Sequence, residues 1–161
     1  MKTLTPKKYQ DLVLDSVARY FDACHEHGSP GVAFQLTTER LWGRPSLYRP
    51  LEGFAADMPY FCLRVPTGGG KTRIAARSVA IVNRRLLRAE HSVILWLVPS
   101  NAIRDQTLKA LRDREHAYHH DLRAAGPISV MDLEEAKAIT RSTLETSTVV
   151  IVATHQAFNV E

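Results

Sequence analysis

The stretch that decides the fold is Arg64-Val65-Pro66-Thr67-Gly68-Gly69-Gly70-Lys71-Thr72. Three successive glycines have no Cβ, so the backbone can adopt positive φ angles and bring its N–H groups close to a polyphosphate. Lys71 can then reach the β and γ phosphates, and the Thr72 hydroxyl can bind Mg²⁺. The stretch therefore predicts a phosphate-binding loop of the Walker A type at the start of a helix.

The residues on both sides fit this prediction. Residues 60–65 are aromatic and aliphatic and predict a short strand, and a helix is predicted from Lys71 to about Arg88. The general phosphate-loop pattern has a glycine five residues before Gly70, where this chain has Val65. A glycine turn that binds nothing is the alternative, and the Lys-Thr pair between a strand and a helix argues against it.

The composition describes an ordinary soluble domain. The chain has 161 residues, 45% of them hydrophobic, and its 21 Lys and Arg residues exceed its 17 Asp and Glu residues. This mild excess is compatible with nucleic acid and equally with solvated charge. Cys24 and Cys62 have no paired spacing, so neither a disulfide framework nor a zinc site is indicated. No apolar run approaches the roughly 18 residues of a membrane span, so we expect a cytoplasmic protein without membrane contact.

Residues 1–27 are predicted to form an N-terminal helix. Thr5-Pro6 supplies a capping hydroxyl and a proline at the first helical position, and apolar residues then recur at three- and four-residue steps. Tyr9 and Gln10 fall in the first turns of this helix. The Gln10 amide has the donor and acceptor needed to read adenine, although the residues alone favour a solvated glutamine.

Residues 28–58 are predicted to be a loop-rich connection, because glycine and proline interrupt them repeatedly. Within them only residues 32–36 suggest a short strand. No functional site is predicted in this segment.

Residues 59–161 alternate between strand and helix patterns. Apolar runs without alternation at 92–98 and 148–153 are typical of strands covered on both faces, and a shorter strand is predicted at 127–130. Helices are predicted from Asn101, as the cap, to about Arg114 and over 132–139. Such alternation predicts a parallel α/β sheet, with the ligand at the carboxyl ends of the strands.

Two side-chain clusters are open to a functional or a structural interpretation. Four arginines share one face of the predicted helix after the glycines: Arg73, Arg77, Arg84 and Arg88. Such a row of arginines can bind nucleic acid, but it is more typical of a solvated helix face. His116 and His119 can share a helical face, but zinc needs three or four converging ligands. We therefore interpret both as surface histidines.

In their order and spacing, these motifs resemble the first domain of a superfamily 2 helicase, in the DEAD/DEAH-box branch that includes the ATPase (Res) subunit of type III restriction enzymes. Lys8-Tyr9-Gln10 resembles the adenine-reading glutamine motif of that branch, and residues 65–72 resemble its motif I, where the first glycine is not required. Residues 97–101 with Gln106 are similar to motif Ia, and residues 150–156 are similar to a later strand-plus-threonine motif.

The resemblance implies a RecA-like P-loop fold with a three-layer parallel sheet, here as an incomplete first helicase domain over residues 59–161. It implies ATP and Mg²⁺ as cofactors, with Lys71 and Thr72 in catalytic roles and the Thr72 hydroxyl on the metal. The residues that it assigns to the nucleotide are Tyr9, Gln10, Pro66, Thr67, Gly68, Gly69, Gly70, Lys71 and Thr72. Those that it assigns to nucleic-acid phosphates are Pro99, Ser100, Asn101, Gln106 and Thr154.

One departure from the family limits the expected activity. No Asp-Glu-x-His or Asp-Glu-x-Asp segment follows the strands, and the second RecA-like domain with its arginine finger is absent from the sequence. We therefore expect an N-terminal fragment of a longer ATPase that ends before motif II and does not hydrolyse ATP alone. The resemblance favours DNA over RNA, a restriction or phage-defence system, and a methyltransferase or nuclease partner subunit. The alternatives are a stand-alone nucleotide-binding module without catalysis and a P-loop kinase.

Overall fold

The computed structural model describes residues 7–158, so the predicted cap at Thr5-Pro6 lies outside the described residues. The helices and strands are α1 Lys8–His27, α2 Pro30–Trp42, α3 Lys71–Ile81, β1 Val93–Val98, α4 Asn101–Arg112, α5 Ala117–Leu122, β2 Ile128–Asp132, α6 Arg141–Thr146 and β3 Thr148–Thr154. The run begun by α3 continues as a π-helical segment over Val82–Leu87, which we call the π segment. Short 3-10 turns cover Arg123–Ala125, Glu135–Ala138 and His155–Phe158.

The three strands form one parallel sheet in the order β1-β3-β2. Val98 at the end of β1 lies opposite Thr154 at the end of β3, so both strands end at the same edge. A hydrophobic core joins one face of the sheet to α3, α4 and α5, through Ala76, Val79, Leu108, Leu111, Leu122, Val150 and Val152. The predicted α/β class with a parallel sheet is thereby confirmed.

The strand β1 is covered on one face only. Ile94 and Trp96 pack against the core, whereas Val93, Leu95 and Leu97 are each about half exposed on the opposite face. The apolar run predicted a strand covered on both faces, and among residues 7–158 this is wrong for β1. Apolar content alone cannot separate a covered face from a bare one, because both use the same residues.

A second core lies between α1, α2 and the π segment. The Tyr20 ring is its centre, with ring-centroid distances of 5.6 Å to Phe21, 6.1 Å to Phe34 and 5.3 Å to Phe61. Edge-on and tilted contacts of this kind stabilise aromatic clusters beyond the area they bury. This cluster fixes α1 beside α3 and so places the first turn of α1 near the glycines.

The prediction of a loop over residues 28–58 is wrong for α2, and so is the candidate strand at 32–36. The Ser29 hydroxyl accepts from Val32 N at 3.4 Å, Pro30 occupies the first turn, and Gly43 ends the helix with φ 71°. The segment that ends α1 also begins α2, so one cluster of turn residues both stops and starts a helix. Residues 44–58 are irregular, as predicted.

Two other predicted elements are wrong. Residues 60–65 form no strand, because no described strand lies beside them to supply hydrogen bonds, and Phe61 packs on the aromatic cluster instead. The predicted helix over 132–139 is only a 3-10 turn, since Asp132 ends β2. Asp132 and Glu135 do exchange capping hydrogen bonds, at 2.8 and 2.9 Å, but these start a single turn. No helix among residues 7–158 is both long and apolar enough to cross a membrane.

Candidate functional site

The glycine loop turns sharply into α3. Gly68 and Gly70 have φ angles of 73° and 78°, and Gly69 N donates to Pro66 O at 3.0 Å. The helix then begins at Lys71, and Ile74 N donates to Gly70 O at 3.0 Å. Positive φ at two of the three glycines is the conformation that residues with a Cβ rarely adopt.

The glycines also allow the loop to pack closely. A Cβ at Gly69 would lie 2.6 Å from Val65 Cγ1 and 2.8 Å from Pro66 O, and a Cβ at Gly70 would overlap the Gln10 amide nitrogen. Gly69 and Gly70 are therefore required by their own surroundings, in addition to any phosphate.

The first turn of α1 is bonded to this loop. Gln10 Nε2 donates to Gly69 O at 3.1 Å, and the Tyr9 hydroxyl donates to the same carbonyl. Gln10 Oε1 accepts from Lys7 N at 3.1 Å, and the side chain is buried. The residues alone favour a solvated Gln10, and this prediction is wrong, because the side-chain amide is bonded to two backbone groups. Its role in reading adenine stays a prediction.

Lys71 and Thr72 occupy the start of α3 as the motif predicts. Lys71 is exposed, and its Nζ lies 3.2 Å from Pro66 O. Among the described residues, no side chain caps α3 and its first turn contains no acid. A helix start without a described side-chain cap, a glycine cradle and an exposed lysine fit a polyphosphate, and the adjacent hydroxyl fits a hard cation beside it.

The sequence predicts a solvated face for Arg73, the next residue, but its side chain is partly buried. Its Nε donates to Asp121 Oδ2 at 2.7 Å and its Nη2 to Asp121 Oδ1 at 3.1 Å. The hydrogen bond with Asp121 raises the pKa of Arg73, against the opposing effect of burial. Arg77 likewise pairs with Asp11 of α1 at 2.9 Å. Sequence spacing gave no sign of these partners, because they lie on other helices.

The predicted nucleic-acid residues lie at the carboxyl edge of the sheet. Pro99, Ser100 and Asn101 follow β1, and Thr154 ends the neighbouring β3, where it is buried. Ser100 rather than Asn101 caps α4, because the Ser100 hydroxyl accepts from Ile103 N at 3.4 Å.

Gln106 is on α4 and faces the same cavity as Thr72. It lines a cavity of about 380 Å³ together with Thr72, Lys109, His116 and Tyr118. The predicted Mg²⁺ ligand and a predicted nucleic-acid residue therefore border the same space.

The two histidines have structural partners. His116 Nδ1 accepts from Tyr118 N at 3.2 Å and caps α5. His119 is buried, contrary to the prediction, and its Nδ1 lies 2.7 Å from Leu111 O. No group of three or more His, Cys, Asp or Glu side chains within 7–158 is placed to hold a metal ion.

Comparison with known proteins identifies the family. The family model described as "Type III restriction enzyme, res subunit" matches residues 3–161, almost the whole chain. Comparisons with curated proteins and with solved structures gave no match. The matched family is RecA-like, and its members are ATP-dependent helicase-type enzymes. The chain therefore belongs to the type III restriction enzyme res subunit family and carries a helicase-type ATPase domain.

Proposed function

We propose that this chain is the ATP-binding part of a DNA helicase or translocase and that the triphosphate binds at Gly68–Thr72. The observation that carries the proposal is the start of α3, where two left-handed glycines lead into a helix terminus without a described side-chain cap. Backbone N–H groups at such a terminus carry partial positive charge and attract phosphate.

Each residue of the loop has a distinct role in this proposal. Pro66 and Thr67 form the outer wall of the loop, and the glycine N–H groups contact the phosphates. Lys71 Nζ leaves Pro66 O, 3.2 Å away, for the β and γ phosphates. The Thr72 hydroxyl binds Mg²⁺, which when present neutralises charge on the phosphates.

Tyr9 and Gln10 would line the base end of the nucleotide. Both side chains already bond to Gly69 O, so adenine binding at Gln10 would be felt directly by the phosphate loop. A change in the orientation of the Gln10 amide would alter its bond to that carbonyl.

The nucleic-acid contacts are proposed at the carboxyl edge of the sheet. Pro99, Ser100 and Asn101, with Gln106 and Thr154, offer hydroxyl, amide and backbone N–H groups of the kind that bind phosphates without reading sequence. Support comes from the placement of Pro99, Ser100, Asn101 and Thr154, because Val98 and Thr154 lie opposite each other at the ends of neighbouring strands. Gln106 lies on α4, at the cavity that it shares with Thr72.

The family supports DNA rather than RNA as the partner. We propose a role in a restriction or phage-defence system, with a methyltransferase or nuclease partner subunit. We also propose that these 161 residues bind ATP without turning it over, because the sequence contains no Asp-Glu-x-His or Asp-Glu-x-Asp segment. A stand-alone nucleotide-binding module and a P-loop kinase remain as outcomes of the tests.

The test is a titration of ATP against the chain and its Lys71→Ala variant, with Lys137→Ala as the matched control. Lys137 is an exposed lysine that pairs only with Glu134 at the surface in the described part of the chain. We expect binding by the wild type and the control, none by Lys71→Ala, and negligible ATP hydrolysis by all three.

Equal ATP binding by wild type and Lys71→Ala would refute the phosphate site. Rapid hydrolysis by the wild type would refute the proposed lack of turnover. Phosphate transfer to a small acceptor, without any effect of DNA on nucleotide affinity, would favour the kinase. Nucleotide binding that DNA does not alter, with no transfer, would favour the stand-alone module.

A further inference from the structure

The first turn of α3 is held from the side by a partly buried ion pair. The Arg73 and Asp121 side chains are 14% and 12% exposed and meet through two hydrogen bonds, at 2.7 and 3.1 Å. A second pair on the same helical run, Arg85 with Asp22, is 56% and 50% exposed. Exposed pairs contribute little, whereas a partly buried pair with two hydrogen bonds fixes the orientation of both side chains.

The acid of this pair lies on a helix that is itself bonded to α4. His119 Nδ1 lies 2.7 Å from Leu111 O, a carbonyl in the last turn of α4 that has no partner within its own helix. His119 and Asp121 are two residues apart on α5, and α5 packs against both α3 and α4. A continuous series of contacts therefore runs from the end of α4 to Arg73.

The same helix borders the cavity between the two predicted sites. Tyr118 of α5, with His116 at its cap, lines the cavity that Thr72 and Gln106 share. Thr72 immediately precedes Arg73, so a shift of Arg73 moves the Thr72 hydroxyl as well.

We propose that Asp121 is a positioning residue for nucleotide binding, which fixes the first turn of α3 through Arg73 and ties that turn through α5 to α4. This inference rests on the proposed nucleotide site. The short Thr72 side chain cannot follow a displaced phosphate or metal, whereas the long Lys71 side chain can adjust. Loss of Asp121 therefore weakens the Mg²⁺ complex of ATP more than it weakens free ATP.

The test compares Asp121→Asn with wild type. Asparagine keeps the size of the side chain but loses the charge and one of the two acceptor oxygens. ATP affinity is measured with excess Mg²⁺ and with EDTA, well below the unfolding temperature. We expect the affinity for Mg²⁺-ATP to fall about tenfold, because the substitution removes a charged hydrogen bond to Arg73, the neighbour of Thr72. The affinity for ATP in EDTA should change by less than about threefold.

Asp22→Asn is the matched control, because Asp22 pairs with Arg85 of the π segment by an exposed contact. Its two affinities should equal those of the wild type. Asp121→Glu, which restores the charge and both oxygens, should recover part of the loss.

The outcomes separate this inference from the proposed function. Failure of the wild type to bind ATP at all would refute the proposed function. Binding that depends on Lys71 but not on Asp121 would overturn the positioning role alone. Equal losses with Mg²⁺ and with EDTA would also overturn it, since they would indicate a general structural defect. If Asp121→Asn does not fold, Arg73→Lys replaces it, with the same Mg²⁺-selective loss expected and an unchanged affinity overturning the proposal.

Discussion

The helical run over residues 71–87 has a residue with a left-handed backbone at each end, but the two ends differ in why that conformation occurs. At the start, Gly70 has φ 78° and its missing Cβ leaves room for the Gln10 amide. At the end, Arg88 has φ 51°, which costs a residue with a Cβ about 1 kcal/mol or more. The first end is shaped by the close approach of a side-chain amide to the backbone, and the second tolerates strain.

One buried side chain, Asn83, stabilises the strained backbone at the second end. Asn83 Nδ2 donates to Thr148 Oγ1 at 3.0 Å, and Asn83 Oδ1 accepts from Ser92 Oγ at 2.6 Å. Its backbone oxygen also accepts from the N–H groups of Arg88 and Ala89. Asn83 thus ties the π segment to the start of β3 and to the residue before β1. The comparison teaches that both ends depend on a partner distant in sequence, Gln10 at the first end and Thr148 at the second, although only the first end is predicted to bind a ligand.

The largest effect should come from Gly70→Ala. The new Cβ both strains the backbone and displaces the Gln10 amide from its bond to Gly69 O, so stability should fall by roughly 2–3 kcal/mol. ATP affinity should fall at least about tenfold because the loop moves. Chemical denaturation and an ATP titration measure the two effects.

Gly43→Ala is the control for this variant. Gly43 is also left-handed, with φ 71°, but no described atom lies within 4 Å of its added Cβ. It should lose about 1 kcal/mol from backbone strain alone, with ATP affinity unchanged. Equal effects of the two substitutions on ATP affinity would show that close packing at Gly70 has no part in binding.

A smaller effect, on stability alone, is expected for Asn83→Ala. The substitution leaves the Ser92 and Thr148 hydroxyls without their partner in a buried site, so the free energy of unfolding should fall by about 2 kcal/mol. ATP affinity should not change, because Asn83 lies at the far end of the run. Urea denaturation beside an ATP titration tests this, with the exposed Gln35→Ala as a control that loses less than about 0.5 kcal/mol. A loss of ATP affinity in the Asn83→Ala variant would contradict the inference that the two ends of the helical run act independently.

The smallest expected effect is an increase in stability. Arg88→Gly removes the left-handed strain, and after the entropy of glycine in the unfolded chain is subtracted, stability should rise by roughly 0.5 kcal/mol. Arg85→Gly, in the right-handed part of the same run, should instead destabilise by about 1 kcal/mol. Melting temperatures of the two variants decide the point, and destabilisation by Arg88→Gly would show that the Arg88 side chain contributes more than its backbone costs.

The elements that the sequence predicted correctly depend on local patterns. The strands at 93–98 and 148–154 are apolar runs that have partners on the sheet, and α3 begins at Lys71 because the glycines precede it. The segment 60–65 has the same strand-forming residues but no described partner, so its propensity is not realised. The missed helix α2 had a readable signal in Ser29-Pro30, the same kind of cap and proline that predicted a helix start at Thr5-Pro6.

The contacts around the candidate site could not be predicted in this way. The bond between Gln10 and Gly69 joins residues far apart in sequence, and so does the pair of Arg73 with Asp121. No spacing rule relates such partners, since they meet only after α1 and α5 pack on α3. The sequence predicts a surface position for His119 for the same reason, because its hydrogen-bond acceptor is the carbonyl of Leu111 at the end of another helix.

The half-exposed face of β1 has a consequence for unfolding itself. Val93, Leu95 and Leu97 already contact water in the folded chain. The denaturant dependence of the unfolding free energy and the heat-capacity change both scale with the surface that unfolding newly exposes. Both quantities should therefore fall below the values usual for a chain of 161 residues, and the stability curve should be correspondingly flat with temperature.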